Sequence, residues 1–394
     1  MCTLIRDSLF PDYEMKFPSN IEWQDVYVEM KAQTIAALPF RWLRDNPLPD
    51  RKLYADWMKT CDRQQYHWMR LMAAQTSLVI LLEKHQIPFV IIKGAAAAIF
   101  YPDPHLRAAG DVDFLVRRCD YERTAALLED SGYKLAHEKN PRGHHYGYTY
   151  GGFSFELHHR LAVIKEKDEK LLSLFEEGIM HCERQEIGNF QFPVLPPELN
   201  GLSLLFHINQ HLRSGLGLRQ IIDWMMYIDH LPEDIWKGQV LPMLRQTGME
   251  KLALTVTAMC QKYFGLREIV EKDDSYPCEE LMDYVLEKGN FGRKGGEEEG
   301  KIASVSLIAS SPFRLLKRLQ IGGMSRWKAA GRYRVLQPFA WIFQIGFITR
   351  ELMRHHVSPR MFYRFNRKGV VQRRMIEKLG LRIDREIVEN REKS

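Results

Sequence analysis

The stretch IPFVIIKGAAAAIFYPDPHLRAAGDVDFLV, residues 87–116, decides how this chain is read. Phe89–Ile92 is a short apolar run between Pro88 and Gly94, the pattern of a buried strand. Ala95–Tyr101 reads as one or two helical turns, closed by Pro102 and Pro104. Gly110 then precedes a second strand, VDFLV, with Asp111 and Asp113 at its head. Residues i and i+2 of a strand project to one face. Two carboxylates therefore leave an otherwise apolar strand together. They repel unless a cation sits between them or one takes up a proton. A divalent ion resolves that conflict, and Mg²⁺ is commonly held by one or two carboxylates plus substrate phosphates.

Working downstream, Tyr121–Asp130 has a helical pattern that stops at Gly132. His144–Tyr150 and Phe153–Leu157 flank Gly151-Gly152, a strong β-hairpin signal. Glu156 lies in the second strand of that hairpin. If the hairpin pairs beside the Asp strand, Glu156 reaches the same face. Three acids could hold two metals, one activating an attacking hydroxyl and one clamping a triphosphate. Glu156 is alternatively a general base. Gly94, between strand and helix, lets backbone N–H groups approach phosphate oxygens, and Lys93 and Arg107 bracket the stretch with positive charge. Asp-x-Asp alone is common on exposed strand faces. The order strand, Lys-Gly, helix, Arg, Asp-x-Asp strand, hairpin with Glu is far more specific.

The flanks read as helix. Residues 22–90 carry apolar side chains at spacings of three and four, as in WMRLMAAQTSLVILLEKH. From Pro196 the pattern is helical again, in LSLLFHINQHL and LRQIIDWMMYIDHL. Residues 267–300 are acidic, then Gly-rich, and suit a boundary. The expected fold is α+β: a small mixed sheet with helices, flanked by mainly helical N- and C-terminal regions. The expected divisions are 1–85, 86–165, 196–290 and 301–394.

The 394 residues are 45% apolar and 27% charged, enough to bury a sizeable core. The net charge of +6 is uneven, with fifteen Lys/Arg between 311 and 376 against one acid, Glu351. Arg314, Lys317, Arg318, Arg332, Arg334, Arg360, Arg364, Arg367, Lys368, Arg373 and Arg374 alternate with Trp341, Phe343, Phe362 and Tyr363. Such a segment suits an anionic partner, nucleic acid or a membrane surface, or else a solvated helical face. It matches no nucleic-acid module, so nucleic acid is not the favoured partner, and peripheral membrane contact stays open. The six cysteines form neither a Cys-x-x-Cys pair nor a disulfide framework. No secretory h-region and no run of about 20 apolar residues occurs. A cytoplasmic protein is expected.

With these residues in place, segment 87–158 resembles the DNA polymerase beta-like nucleotidyltransferase superfamily. More narrowly, it resembles the bacterial family known as uncharacterised nucleotidyltransferases. The matching residues are Lys93-Gly94, Tyr101-Pro102, Arg107, Asp111-Val112-Asp113, Gly132-Tyr133, His144-His145 and Glu156-Leu157-His158. His207-x-x-x-His211, Leu218-Arg219 and Asp223 continue the match, which covers about residues 75–230. Ala95 departs from it, standing where the wider superfamily has Gly or Ser after its first Gly. The resemblance implies that Asp111 and Asp113 bind Mg²⁺ or Mn²⁺ with Glu156 as third acid, and that Lys93, Gly94 and Arg107 serve the nucleotide. It implies transfer of a nucleoside monophosphate from an NTP, with ATP the expected donor, to an unidentified acceptor hydroxyl, releasing pyrophosphate. The competing expectations are a catalytically inactive binding protein of the same fold and a His-rich metal hydrolase. His158, His145 and His211 are expected to support the cleft. Asp223 either faces that cleft or pairs with Arg219 one helical turn away.

Overall fold

In the computed structural model, β1 (Phe89–Ile92) and β2 (Asp111–Val116) lie side by side, antiparallel, at the centre of a seven-stranded sheet. The structure describes residues 1–10, 17, 20–137, 143–165, 168–290, 312–327, 329–330, 333–354 and 372–381. The other strands are β3 (Lys134–Leu135), β4 (His145–Tyr150), β5 (Phe153–His158), β6 (Glu183–Ile187) and β7 (Phe190–Val194). Their order is β3-β4-β5-β2-β1-β7-β6. β5 runs parallel to β2 and β7 parallel to β1, while the hairpins β4-β5 and β6-β7 are antiparallel. The mixed sheet with helical flanks agrees with the expected α+β class.

Local sequence explains most of these elements. The β4-β5 turn is Gly151-Gly152, both at positive φ (58° and 83°), which glycine adopts without a Cβ penalty. Helices α1 (Cys2–Leu9), α2 (Trp23–Ala32) and α3 (Phe40–Asp45) precede α4 (Arg51–Lys84), which starts where Asp50 Oδ1 accepts from the backbone N–H groups of Lys52 and Leu53. Pro88 lies just beyond its end. α6 (Tyr121–Asp130) ends before Gly132, which is at φ 87°. One face of the sheet is apolar. Val112, Phe114, Val116, Phe155, Leu157 and Tyr148 join Trp68, Leu71 and Leu78 of α4 and Leu128 of α6 in a single core. Phe114 and Phe155 are fully buried, each worth about 1.5–3 kcal/mol.

The β6-β7 hairpin extends the sheet beyond the strands expected from sequence. α7 (Glu169–Met180) leads into it and packs against β1 and β2. Beyond β7, α8 (Pro197–Ser214) and α9 (Leu218–His230) pack together. α5 (Gly94–Ala98) touches both β1 and α9.

The chain divides into two units. The first is Met1–Asp274 with Gly289–Phe291 and contains the whole sheet. The second is Ser275–Lys288 with Gly292–Ser394. Within the second unit, helices Pro312–Arg326 and Ala340–Arg354 pack closely, and a Cβ on Gly323 would collide with the Ala340 carbonyl. The Gly-rich stretch 291–300 and residues Arg332, Arg360, Phe362, Tyr363, Arg364, Arg367 and Lys368 lie outside the described residues. Among the described residues, no helix is long and apolar enough to cross a membrane.

Candidate active site

The polar face of the sheet follows from register. Asp113 is the Cα partner of Glu156 across the parallel β2-β5 pair, and Asp111 is the partner of Ser154. Period-two alternation puts Asp111, Asp113, Glu156 and His158 on one side, opposite the core. On the next strand, His145 pairs with His158 and Gly147 with Glu156. A glycine opposite Glu156 leaves the space above that carboxylate free of a cross-strand side chain. His159, one residue on, faces the other way and rests on Tyr121 at 4.4 Å between ring centroids.

Lys93 completes the cluster from β1. Its Nζ donates to Asp113 Oδ1 at 2.7 Å, and its backbone adopts φ 55°, ψ −126°, a conformation that L side chains rarely take. A strained residue aimed at a charged cluster is typical of a functional turn. It is Lys93, rather than Gly94, that takes the positive-φ position here. A Cβ on Gly94 would meet only the Asp111 carbonyl, at 3.8 Å, so packing tolerates a larger residue there. α5 has just five residues and adds little dipole.

Charge is unevenly shared among the acids. Asp113 is 4% exposed; burial opposes its charge, but Lys93 and His158 outweigh this and hold its carboxyl well below the usual range. His158 Nε2 lies 2.9 Å from Asp113 Oδ1 and 3.2 Å from Glu156 Oε2. Burial and Lys93 resist protonation of His158, yet the two carboxylates raise its pKa. Asp111 is pushed up to about 6, first by the Asp113 charge, then by burial and Glu156. The face therefore holds more negative charge than Lys93 neutralises. One oxygen of Asp113, one of Glu156 and a ring nitrogen of His158 lie within 4.8 Å of one another. Carboxylates with an imidazole are a donor set suited to a divalent cation.

α8 walls the cleft. A recess beside Lys93 and His158 is lined by Ser203, Phe206, His207 and Gln210, none of which except His207 stood out in the sequence. His207 and His211 share a helix face, ring centroids 4.5 Å apart, and burial first of all keeps both neutral, His211 at about 4.

Arg107 and Asp223 differ from what their sequence positions suggest. Arg107 is 3% exposed; its Nε and Nη2 donate to the two Asp223 oxygens at 2.8 and 2.7 Å, and Nη1 donates to the Ala108 carbonyl. Tyr101 Oη adds a 2.7 Å hydrogen bond to Asp223. Asp223 thus pairs across the fold with a planar fork that matches its carboxylate. Arg219 donates to the Ala108 carbonyl at 3.1 Å, and its charge lowers the Asp111 pKa. Arg219 is thus a further cation whose charge reaches Asp111, as that of Arg107 also does. Its place in Leu218-Arg219 was visible, but its approach to Asp111 depends on how α9 docks.

The family described as uncharacterised nucleotidyltransferase matches residues 19–265, which includes every residue of this cluster. A solved structure of an antigenic nucleotidyltransferase-like protein from Paracoccidioides brasiliensis is similar at 18% identity and a TM-score of 0.33. The similarity covers 52% of this chain and 96% of that one. No curated protein matches the chain.

Proposed function

Because the chain belongs to the uncharacterised nucleotidyltransferase family, we propose that it moves a nucleoside monophosphate from an NTP, ATP in the first instance, to an acceptor hydroxyl. Pyrophosphate leaves. The observation that carries this reading is the β2-β5 register, which sets Asp113 beside Glu156 with Asp111 on the same face. We place the chain in the DNA polymerase beta-like superfamily on the same residues. The division at 1–85, 86–165, 196–290 and 301–394 belongs to this proposal, with the β6-β7 hairpin added to the catalytic sheet.

Asp111, Asp113 and Glu156 would hold Mg²⁺ or Mn²⁺. The fit rests on the donor set: ligand oxygens of Asp113 and Glu156 lie within 4.8 Å of one another, and Asp111 on the same strand face carries a carboxyl pushed up by its neighbours' charge, which a cation would relieve. When bound, the ion supplies charge neutralisation at the phosphates and a more acidic acceptor hydroxyl. Lys93 and Arg219 are cations beside the acids, and they bind and orient the triphosphate. Glu156, with its side chain 31% exposed, faces the open side and accepts the acceptor's proton. His158 keeps the Asp113 and Glu156 oxygens aligned through its Nε2. Arg107 positions rather than binds, because Asp223 and Ala108 engage its guanidinium.

The test is equilibrium binding of an NTP with Mg²⁺ to the parent chain and to the double variant Asp111→Ala/Asp113→Ala. The parent binds and the variant does not. Equal binding rules the transferase reading out. One observation favours a second reading, a binding protein of the same fold: the Lys93 ammonium already sits on Asp113, where a metal would compete with it. In that case the NTP binds equally well with and without Mg²⁺, and no label is transferred.

A further inference from the structure

A second cluster adjoins the acids and does not need them as ligands. His145 and His158 are cross-strand partners, and His144 precedes His145. Their ring centroids lie 4.4 Å apart for His144–His145, 5.1 Å for His145–His158 and 5.8 Å for His144–His158. One ring nitrogen from each lies within 4.8 Å of the other two.

The carboxylates engage one nitrogen of His158. His158 Nε2 faces two carboxylates, Asp113 at 2.9 Å and Glu156 at 3.2 Å, which can only accept. Those contacts engage Nε2 and leave Nδ1 as the second nitrogen of the ring. That Nδ1 belongs to a side chain 2% exposed and has no hydrogen-bond partner. His145 Nε2 lies 3.9 Å from Glu156 Oε1, beyond hydrogen-bond reach, and its Nδ1 is buried without a partner. Leaving a buried polar atom unsatisfied costs about 1–3 kcal/mol, a cost that a ligand on either ring would relieve. A ring whose far N–H is donated to a carboxylate is the usual form of a metal-binding histidine.

We propose that His144, His145 and His158 form a site for a zinc-class transition-metal ion, with Asp113 and Glu156 orienting the rings from behind. Three imidazoles suit Zn²⁺ and leave a fourth position for water or a substrate atom. The ion would lock His158 and, through it, the Asp113 oxygen. The inference does not rest on the nucleotidyl-transfer reading.

The test uses the full chain, treated with a chelator and then titrated with Co²⁺ as a visible-absorbing stand-in for Zn²⁺. The parent binds one Co²⁺ per chain with the strong visible bands of a tetrahedral nitrogen site, and Zn²⁺ displaces it. Asp111→Asn binds Co²⁺ as the parent does. Asp113→Asn, which removes the group behind His158, binds about 10–100-fold more weakly. His144→Gln and His145→Gln lose the bands while keeping parent-like circular dichroism. If His145→Gln fails to fold, His144→Gln decides, since His144 is only partly buried. Absence of stoichiometric binding overturns the proposal. So does binding unchanged in His144→Gln, or binding lost in Asp111→Asn, which would put the ion on the carboxylates. A chain that binds Co²⁺ but no NTP would defeat the transferase reading alone.

Discussion

Asp111 bears the cost of gathering three acids on one face. Its carboxyl is pushed up to about 6 in the fold, against an ordinary value of 3.8. Between those values the folded chain holds a proton that the unfolded chain has lost. Stability therefore falls as pH rises through that window, by at most about 3 kcal/mol at roughly 1.4 kcal/mol per unit. Asp111→Asn removes the repulsion. It should melt above the parent at about pH 7.5, with the gap closing below about pH 4. Thermal melts across that range check this, and coincident curves at neutral pH would contradict it. At this scale the acids were legible, because strand alternation needs only neighbours in sequence. The Lys93–Asp113 and His158–Asp113 contacts were not. They depend on strand pairing and on the positive φ of Lys93, which nothing in the residue type announces.

Between elements, fit is set by small residues. Gly201 of α8 sits against Tyr227 of α9, where a Cβ would lie 2.4 Å from the tyrosine oxygen. That oxygen donates to the Pro197 carbonyl at 2.9 Å, so the two helices are locked in one register. Gly201→Ala should cost about 1–3 kcal/mol through overpacking and should disturb the recess that α8 forms beside Lys93. Denaturant unfolding measures the first effect; a variant as stable as the parent would contradict the packing. The β4-β5 hairpin could be read from its two glycines and its aromatic alternation. The β6-β7 hairpin could not. ERQEI is largely exposed on an edge, and Pro193 interrupts the apolar run of its partner.

Across the first unit as a whole, a buried ion pair ties the helical region to the sheet. Arg107, just before β2, meets Asp223 of α9 across 116 residues, with both side chains at most 2% exposed. Arg107→Ala leaves a buried carboxylate without its cation and should cost about 3–5 kcal/mol of stability. A phosphate ligand at the surface would instead lose nucleotide affinity and leave stability alone, so urea unfolding of this variant separates the two roles. No reading of residue types finds a partner so distant, which is why the sequence offered Arg107 to the nucleotide and not to Asp223. The central claim concerns chemistry at the acidic face. Its most direct measurement incubates the chain with Mg²⁺, a cell extract and ATP labelled at either the α or the γ phosphate. The account predicts that the α label alone enters an acceptor, that the γ label leaves as pyrophosphate, and that Asp113→Asn abolishes both events. Transfer of the γ label, or undiminished transfer of the α label by Asp113→Asn, would contradict it.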